Sequence, residues 1–195
     1  MKKTKVLVIG SGGHAKSCID VIENSKKFNI VGLIDNDKKK MIGKYKVIFS
    51  DNEILKIKKT SKNLVLGLGS LDNINKRVQV FKKFKKLGFN FPKIISKYAL
   101  VSKNSKIGEG TILFNHVFVN AGSEIGKNCI INNKSLIEHD TLVGNHSHIS
   151  TNVVVNGNCV IGEKTFIGSG SVLKNNIIIK KNSFIKMGTI QKKNR

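Results

Sequence analysis

The chain has one proline, no tryptophan, three cysteines, and twelve acidic residues against thirty-five lysines and arginines. It also lacks any apolar run near the roughly eighteen residues that a membrane helix needs, so no membrane span is expected. The basic stretch Met1 to Lys5 leads into apolar residues, but Gly10 to His14 interrupt them too early for a secretory signal, which points to a cytoplasmic protein. Cys18, Cys129 and Cys159 make an odd count with neither a disulfide framework nor zinc-ligand spacing, and are expected as reduced core thiols. The net charge of +23 raises the question of nucleic acid. The lysines, however, are spread over the whole chain among abundant Asn and Ile, as an A/T-rich genome would produce, and aromatics for base stacking are scarce. No nucleic-acid partner is expected; the charge would instead concentrate small polyanionic substrates.

What the chain has in abundance is a period. Sixteen consecutive hexapeptides, from the one opening at Ile95 to the one opening at Ile185, each begin on Ile, Val or Leu without an insertion. The fifth residue of each is small or β-branched, as in Ser105, Ser123, Thr141 and Cys159. One hexad is too short to bury its own aliphatic residue, whereas stacked coils bury a continuous ladder. With three hexads to a coil, Val119, Ile137 and Val155 stack, as do Ile125, Val143 and Ile161. The period excludes an amphipathic helix, whose apolar stripe recurs at three and four residues.

Residues 1–92 read differently. A strand at Val6 to Ile9, a helix from about Ala15 to Ser25 and a strand at Ile30 to Ile34 form a βαβ opening. A strand at Leu64 to Leu68 and a helix from about Asn73 to Leu87 follow. Pro92 marks the boundary. The expected fold is thus an α/β N-terminal domain over residues 1–92, then a hexapeptide β-helix over 93–195.

Two motifs carry chemistry. Gly10-Ser11-Gly12-Gly13-His14 joins the first strand to the first helix, where backbone amides can approach a phosphate, although Ala15 breaks the dinucleotide spacing and a plain tight turn is the competing reading. Asp35 ends the second strand, where a carboxylate can accept from a ribose or base or simply form a turn. The second motif is Glu138-His139-Asp140. His139 is the third residue of its hexad, at or near a turn, and its neighbours one coil away, Ala121 and Gly157, are small. That spacing leaves a notch around the imidazole; the competing reading is a surface histidine between solvated carboxylates.

Together these residues resemble the hexapeptide acyltransferases that include bacterial UDP-4-amino-sugar N-acetyltransferases and the sialic acid O-acetyltransferase group. The carriers are Ile9 to Lys16, Asp35, Gly67, and the block Asn132 to Ser150 with Ile137-Glu138-His139-Asp140 and His148. The resemblance implies a small Rossmann-like N-terminal domain and a left-handed parallel β-helix that trimerises and binds acetyl-CoA between neighbouring subunits; no metal is expected. It implies transfer of an acetyl group to an amine on a nucleotide-linked sugar, most simply a UDP-4-amino-4,6-dideoxy sugar for a surface or glycoprotein glycan. His139 would be general base, since imidazole as a residue type titrates near working pH. Asp140 would orient it, with Glu138 as alternate. Gly12, Gly13, His14, Asp35, Gly67 and Asn132 would line the substrate side, and His148 and the Gly157 N–H the acetyl-CoA side.

One departure stands out. Relatives commonly finish with a CoA-contacting Gly-x-Pro-Ala-Lys segment, whereas this chain ends Lys186-Met187-Gly188-Thr189-Ile190 and a basic tail. The alternatives are a sugar O-acetyltransferase, a noncatalytic nucleotide-sugar-binding solenoid, and a metal enzyme on the same scaffold using His116, His139 and His146. The last is disfavoured because those histidines are not spaced one coil apart.

Overall fold

The computed structural model of the protein describes residues 3–70 and 74–195. Met1 and Lys2 of the basic opening, and Asn73 at the expected helix start, lie outside the described residues. The chain divides into two compact units, Met1–Pro92 and Lys93–Arg195.

In the first unit β1 (Thr4–Ile9), α1 (Gly13–Ser25), β2 (Phe28–Ile34), β3 (Met41–Ile42), β4 (Tyr45–Phe49), α2 (Ile54–Thr60), β5 (Leu64–Leu66) and α3 (Ile74–Lys86) follow in order. The sheet order is β3-β4-β2-β1-β5, parallel except for the β3–β4 hairpin. The expected βαβ opening is present. β3, β4 and α2 were not expected from the sequence: β3 has two residues, and β4 and α2 are lysine-interrupted segments with one buried residue each, so neither carries a long apolar period. β1 is buried from Val6 onward and β5 throughout, as strands flanked on both faces should be. Cys18 is fully buried, which pushes its thiol up to about 12 and makes it a packing residue.

The second unit is the expected parallel β-helix. Seventeen two-residue strands, from Ile94–Ile95 to Ile190–Gln191, form three sheets of six, five and six strands. Every strand pairs eighteen residues away, as Leu136–Ile137 does with Phe118–Val119 and Val154–Val155. The first residues of the hexads form one continuous core in which Val119, Ile137 and Val155 are fully buried.

The fifth position does more than save space. Its hydroxyl donates to the carbonyl fifteen residues on, as in Ser123 Oγ to Glu138 O (2.7 Å) and Thr141 Oγ1 to Asn156 O (3.2 Å). These bonds satisfy corner carbonyls that the sheets leave over. Corners turn at the fourth position, which is left-handed in coil after coil: Asn128 (φ 55°), Asp140 (φ 57°), Asn158 (φ 60°) and Gly122 (φ 74°). The frequency of Asn and Gly at that position was the available signal in the sequence.

A third rule governs the second position after the five-stranded sheet, where Gly108, Gly126, Gly144 and Gly162 stack. A Cβ on Gly144 would come within 2.5 Å of Glu163 N in the coil above. Gly144→Ala is therefore expected to lower unfolding stability by about 1–3 kcal/mol in chemical denaturation, as overpacking against backbone does. Lys180 occupies the same position in the last coil, and Lys180→Ala should be close to neutral.

Candidate active site

His139 and Asp140 occupy the corner that leaves strand Leu136–Ile137. The Ser123 bond to Glu138 O and the Asp140 N–H to Ala121 O (3.0 Å) fix the backbone on either side of His139. His139 is exposed, with 55% of its side chain accessible. Its Nδ1 lies 2.9 Å from Asp140 Oδ2. With Nδ1–H donating to the carboxylate, Nε2 keeps its lone pair and is the basic atom.

The notch inferred from spacing is present. A Cβ on Gly157 would meet His139 Nε2 at 2.6 Å and Cε1 at 2.7 Å, so the ring lies across the bare Cα of Gly157. Gly122, which the sequence reading did not single out, does the same for the other partner: a Cβ there would collide with Asp140 Oδ1. The signal was its place eighteen residues before Asp140. The amide at the third corner position also differs along this column. Asn120 Oδ1 accepts from Ala121 N–H (2.8 Å) and Glu138 Oε2 from His139 N–H (3.4 Å), but Asn156 turns its side chain to Leu173 O, and the Gly157 N–H has no acceptor among the described residues. A donor therefore stands beside the imidazole.

Asp140→Asn should keep the geometry but offer an amide in place of the carboxylate that orders the ring. Its kcat is expected to fall at least ~10-fold, approaching the His139 deletion, as exchange of a triad carboxylate does. Steady-state kinetics at saturating substrate measure it.

At the first unit, Ser11 Oγ donates to Asp35 Oδ2 (2.6 Å) and the Asp37 N–H to Asp35 Oδ1 (3.2 Å). Partial burial pushes the Asp35 carboxyl up, but Ser11, the backbone amides of Asp37 and Asn36, and the Lys40 charge together outweigh it and hold it below its usual value. Asp35 is thus a carboxylate at neutral pH, and whatever stability its depressed value contributes is lost only as pH falls through that folded-state value. A cleft of about 130 Å³ lies beside it, with Gly10, Asp35, Asn36, Leu68 and Lys76 among its walls. Gly12 and Gly13 face open space at the start of α1, and Gly12 caps α1 without a side chain. His14 follows in the first turn, half-buried. Arg77, buried on α3, donates to Leu66 O (2.9 Å) and Leu68 O and so fixes the strand end that walls the cleft.

Four further expected site residues take the following places. Gly67 is buried, its N–H donates to Ile9 O (2.8 Å), and a Cβ there would strike Ala15 Cβ at 2.8 Å, so glycine here lets α1 pack on the sheet. His148 is 4% exposed and meets Phe166 edge-on at 5.1 Å. Asn132 belongs to the corner after Ile130–Ile131, a different column from His139, and its Oδ1 accepts from Asn133 N–H (2.8 Å). Glu138 does not orient the imidazole, because its Oε2 takes Asn120 Nδ2 at 2.7 Å. His116, His139 and His146 stand on three different corners: His116 stacks on Tyr98, and Asn128 Nδ2 lies 3.0 Å from His146 Nδ1. Among the described residues no group of three His, Cys, Asp or Glu comes together to hold a metal ion, and no helix is long and apolar enough to cross a membrane.

Comparison with known proteins returns the two halves separately. Residues 5–84 match the PglD N-terminal domain, and residues 140–175 match the bacterial transferase hexapeptide with its six repeats. The structure is similar to PerB of Caulobacter crescentus, solved in complex with CoA and GDP-perosamine, at 25% identity and TM-score 0.91 over 97% of this chain and 89% of that one. It is equally similar to the acetyltransferase domain of PglB from Neisseria gonorrhoeae, solved in complex with acetyl coenzyme A, at 25% identity and TM-score 0.89 over 99% and 93%. The chain is an acyltransferase that joins a PglD N-terminal domain to the bacterial transferase hexapeptide. WeeI from Acinetobacter baumannii, at 17% identity and TM-score 0.61 over 95% of both chains, shares the fold. No curated protein sequence matches the chain. For this acyltransferase the fold is accordingly a Rossmann-like domain followed in the chain by the left-handed form of the β-helix.

Proposed function

We propose that this acyltransferase moves the acetyl group of acetyl-CoA onto the amine of a nucleotide-linked amino sugar, with His139 as general base. One observation carries the reading: an imidazole held through Nδ1 by Asp140, lying over Gly157 beside an amide without an acceptor. Such a corner offers a proton acceptor and an oxyanion donor in one place.

The chemistry follows from those atoms. As the amine attacks the thioester carbonyl, Nε2 takes the proton that the nitrogen must lose, and Asp140 stabilises the imidazolium. The Gly157 N–H donates to the oxyanion. Collapse breaks the carbon–sulfur bond, and the imidazolium returns its proton to the departing CoA thiolate. Acetyl-CoA supplies only the activated acyl group; no metal is needed.

Support for the donor comes from the relatives, since PerB is described with CoA and the PglB domain with acetyl coenzyme A. A groove of about 460 Å³ on the five-stranded face, bordered by the exposed Leu142 and by Val160, offers the apolar wall that a pantetheine arm fits. The same column of exposed aliphatics supports a homotrimer that covers it. For the acceptor we take a UDP-4-amino-4,6-dideoxy sugar, with a GDP-linked one as the competing choice because PerB is described with GDP-perosamine. Gly12, Gly13, His14 and Asp35 would hold the nucleotide in a cytoplasmic enzyme whose product enters a surface or glycoprotein glycan.

Asp35→Ala is expected to raise KM for the nucleotide sugar about tenfold with kcat nearly unchanged, the size of one charge-assisted hydrogen bond. An unchanged KM removes Asp35 from the site. The acceptor itself is tested by presenting UDP-, GDP- and TDP-linked 4-amino sugars beside sialic acids and following product stability in mild alkali. An alkali-stable acetylated amino sugar supports the proposal, and an alkali-labile sialic acid ester replaces it with O-acetyl transfer.

A further inference from the structure

β2 and β4 run side by side as far as Ile34 and Phe49, and the last backbone bond between them is Asp35 N–H to Phe49 O (3.1 Å). Beyond it the two segments part. Residues 36–40 lead away to β3, and residues 50–53 lead to α2. Both ends supply walls of the cleft beside Asp35: Asp35 and Asn36 after β2, Asp51 after β4. Among the described residues no backbone bond joins 36–40 to 50–53, so the spacing of these walls falls to side chains.

The side chain that spans the gap is Glu53. Ser50-Asp51-Asn52-Glu53 has the spacing at which an acid reaches back to the serine that opens a helix. Glu53 Oε2 accepts from the Ser50 N–H (2.8 Å) and from Ser50 Oγ (3.2 Å), and the same oxygen takes Lys38 Nζ at 2.9 Å from the other loop. Lys56 on α2 donates to Oε1 (2.8 Å). Lys56, then the Ser50 amide and Lys38, outweigh desolvation and hold the Glu53 carboxyl well below the usual carboxylate range, so it is charged when these bonds form. A third segment is tied in through the next residue but one. Lys83 Nζ on α3 lies 3.2 Å from Asp51 Oδ2, and α3 contributes Lys76, Val80 and Phe84 to the same cleft. The ties thus join all three segments, from Lys38 through Glu53 and Ser50 to Asp51 and Lys83.

We propose that Glu53 is a positioning residue for the nucleotide: by holding Lys38 and the Ser50 amide on one carboxylate, it sets the distance between the Asp35 and Asp51 walls before the ligand arrives. This rests on the reading of the cleft as the nucleotide site. Neither Glu53 nor Lys38 is a wall of the cleft, so both act through the loops they hold. Opening α2 accounts for the bonds to Ser50 and Lys56, but not for Lys38, which lies outside that helix. A loop already fixed in its bound form loses less freedom on binding, so a tie of this kind acts on affinity and leaves the chemical step alone.

The test is calorimetric titration of the full-length chain with UDP, GDP and TDP, beside steady-state kinetics on the nucleotide sugar. The wild type should bind one of the three. Lys38→Ala should weaken that binding about threefold, the scale of one partly exposed ion pair, and Glu53→Ala about tenfold, because the Ser50 amide is released as well. Glu53→Gln, which can still accept from the Ser50 N–H, should match Lys38→Ala. KM should rise by the same factors while kcat stays within about twofold. In the Glu53→Ala background, Lys38→Ala should cost nothing further, since its partner is gone. Lys38 is exposed, so its variant should melt with the wild type and keeps the test open if Glu53→Ala folds poorly. Wild-type affinity in Lys38→Ala and Glu53→Gln overturns the proposal and leaves Glu53 as the opening of α2. An undiminished Lys38→Ala effect in the Glu53→Ala background overturns it too, by making Lys38 a contact of the ligand. A wild type that binds none of the three nucleotides removes the nucleotide reading of the cleft, and this proposal with it.

Discussion

His139→Ala is expected to lower kcat by about 10²–10⁴, the usual contribution of a positioned general base, with the KM of the nucleotide sugar little changed. The side chain is exposed and its polar contact is the Asp140 carboxylate, also exposed, so the variant should melt within about 0.5 kcal/mol of the wild type. The residual rate reflects what the corner still does: it holds amine and thioester together and leaves the Gly157 amide in place. Proximity alone supplies several kcal/mol in well-oriented systems, so activity should not fall to the solution rate. A fall in kcat smaller than about threefold would mean that the amine loses its proton elsewhere.

Gly157→Ala is expected to be nearly as damaging although it removes neither the imidazole nor the Gly157 N–H. Gly157 does not adopt left-handed backbone, so alanine meets no conformational penalty there. What it meets is the imidazole, with Nε2 2.6 Å from the new methyl carbon. The ring must swing away, and the Nδ1 bond to Asp140 goes with it. A displacement of about 1 Å costs on the order of 10² in rate, and that is the predicted fall in kcat. Stability should drop by less than about 1 kcal/mol, because an exposed ring moves aside into solvent. The pair gives a sharper check: in the His139→Ala background the alanine at 157 has nothing to strike and should cost no further activity or stability. Additive losses would place the importance of Gly157 elsewhere.

Much of the solenoid was legible because its period is the structure. An aliphatic residue every six positions, repeated through Ile185, names the core before any coordinates, and the eighteen-residue stack then brings Gly157 over His139. The same arithmetic, carried one step further, would have found Gly122 under Asp140. What the sequence could not show was direction. Asn132 and His148 came from the resemblance, and the period alone adds only that each corner belongs to its own column and each strand face to its own sheet. Gly67 likewise came from the resemblance, and its packing was not legible because its neighbours, Ala15 and Val8, are far away in sequence. In the first unit, Asp35 was visible as a strand-end acid. Its bond to Ser11 was not, because it joins two loops twenty-four residues apart.

The central claim is that this corner acetylates an amine. The most direct measurement is thiol release from acetyl-CoA with a nucleotide-linked 4-amino sugar and, in parallel, with the same nucleotide sugar bearing a hydroxyl at that carbon, using the wild type and His139→Ala. The account predicts release that depends on the amino sugar, a product heavier by one acetyl group, and loss of both in the variant. Release with the hydroxyl sugar alone, or equal release by His139→Ala, would contradict it.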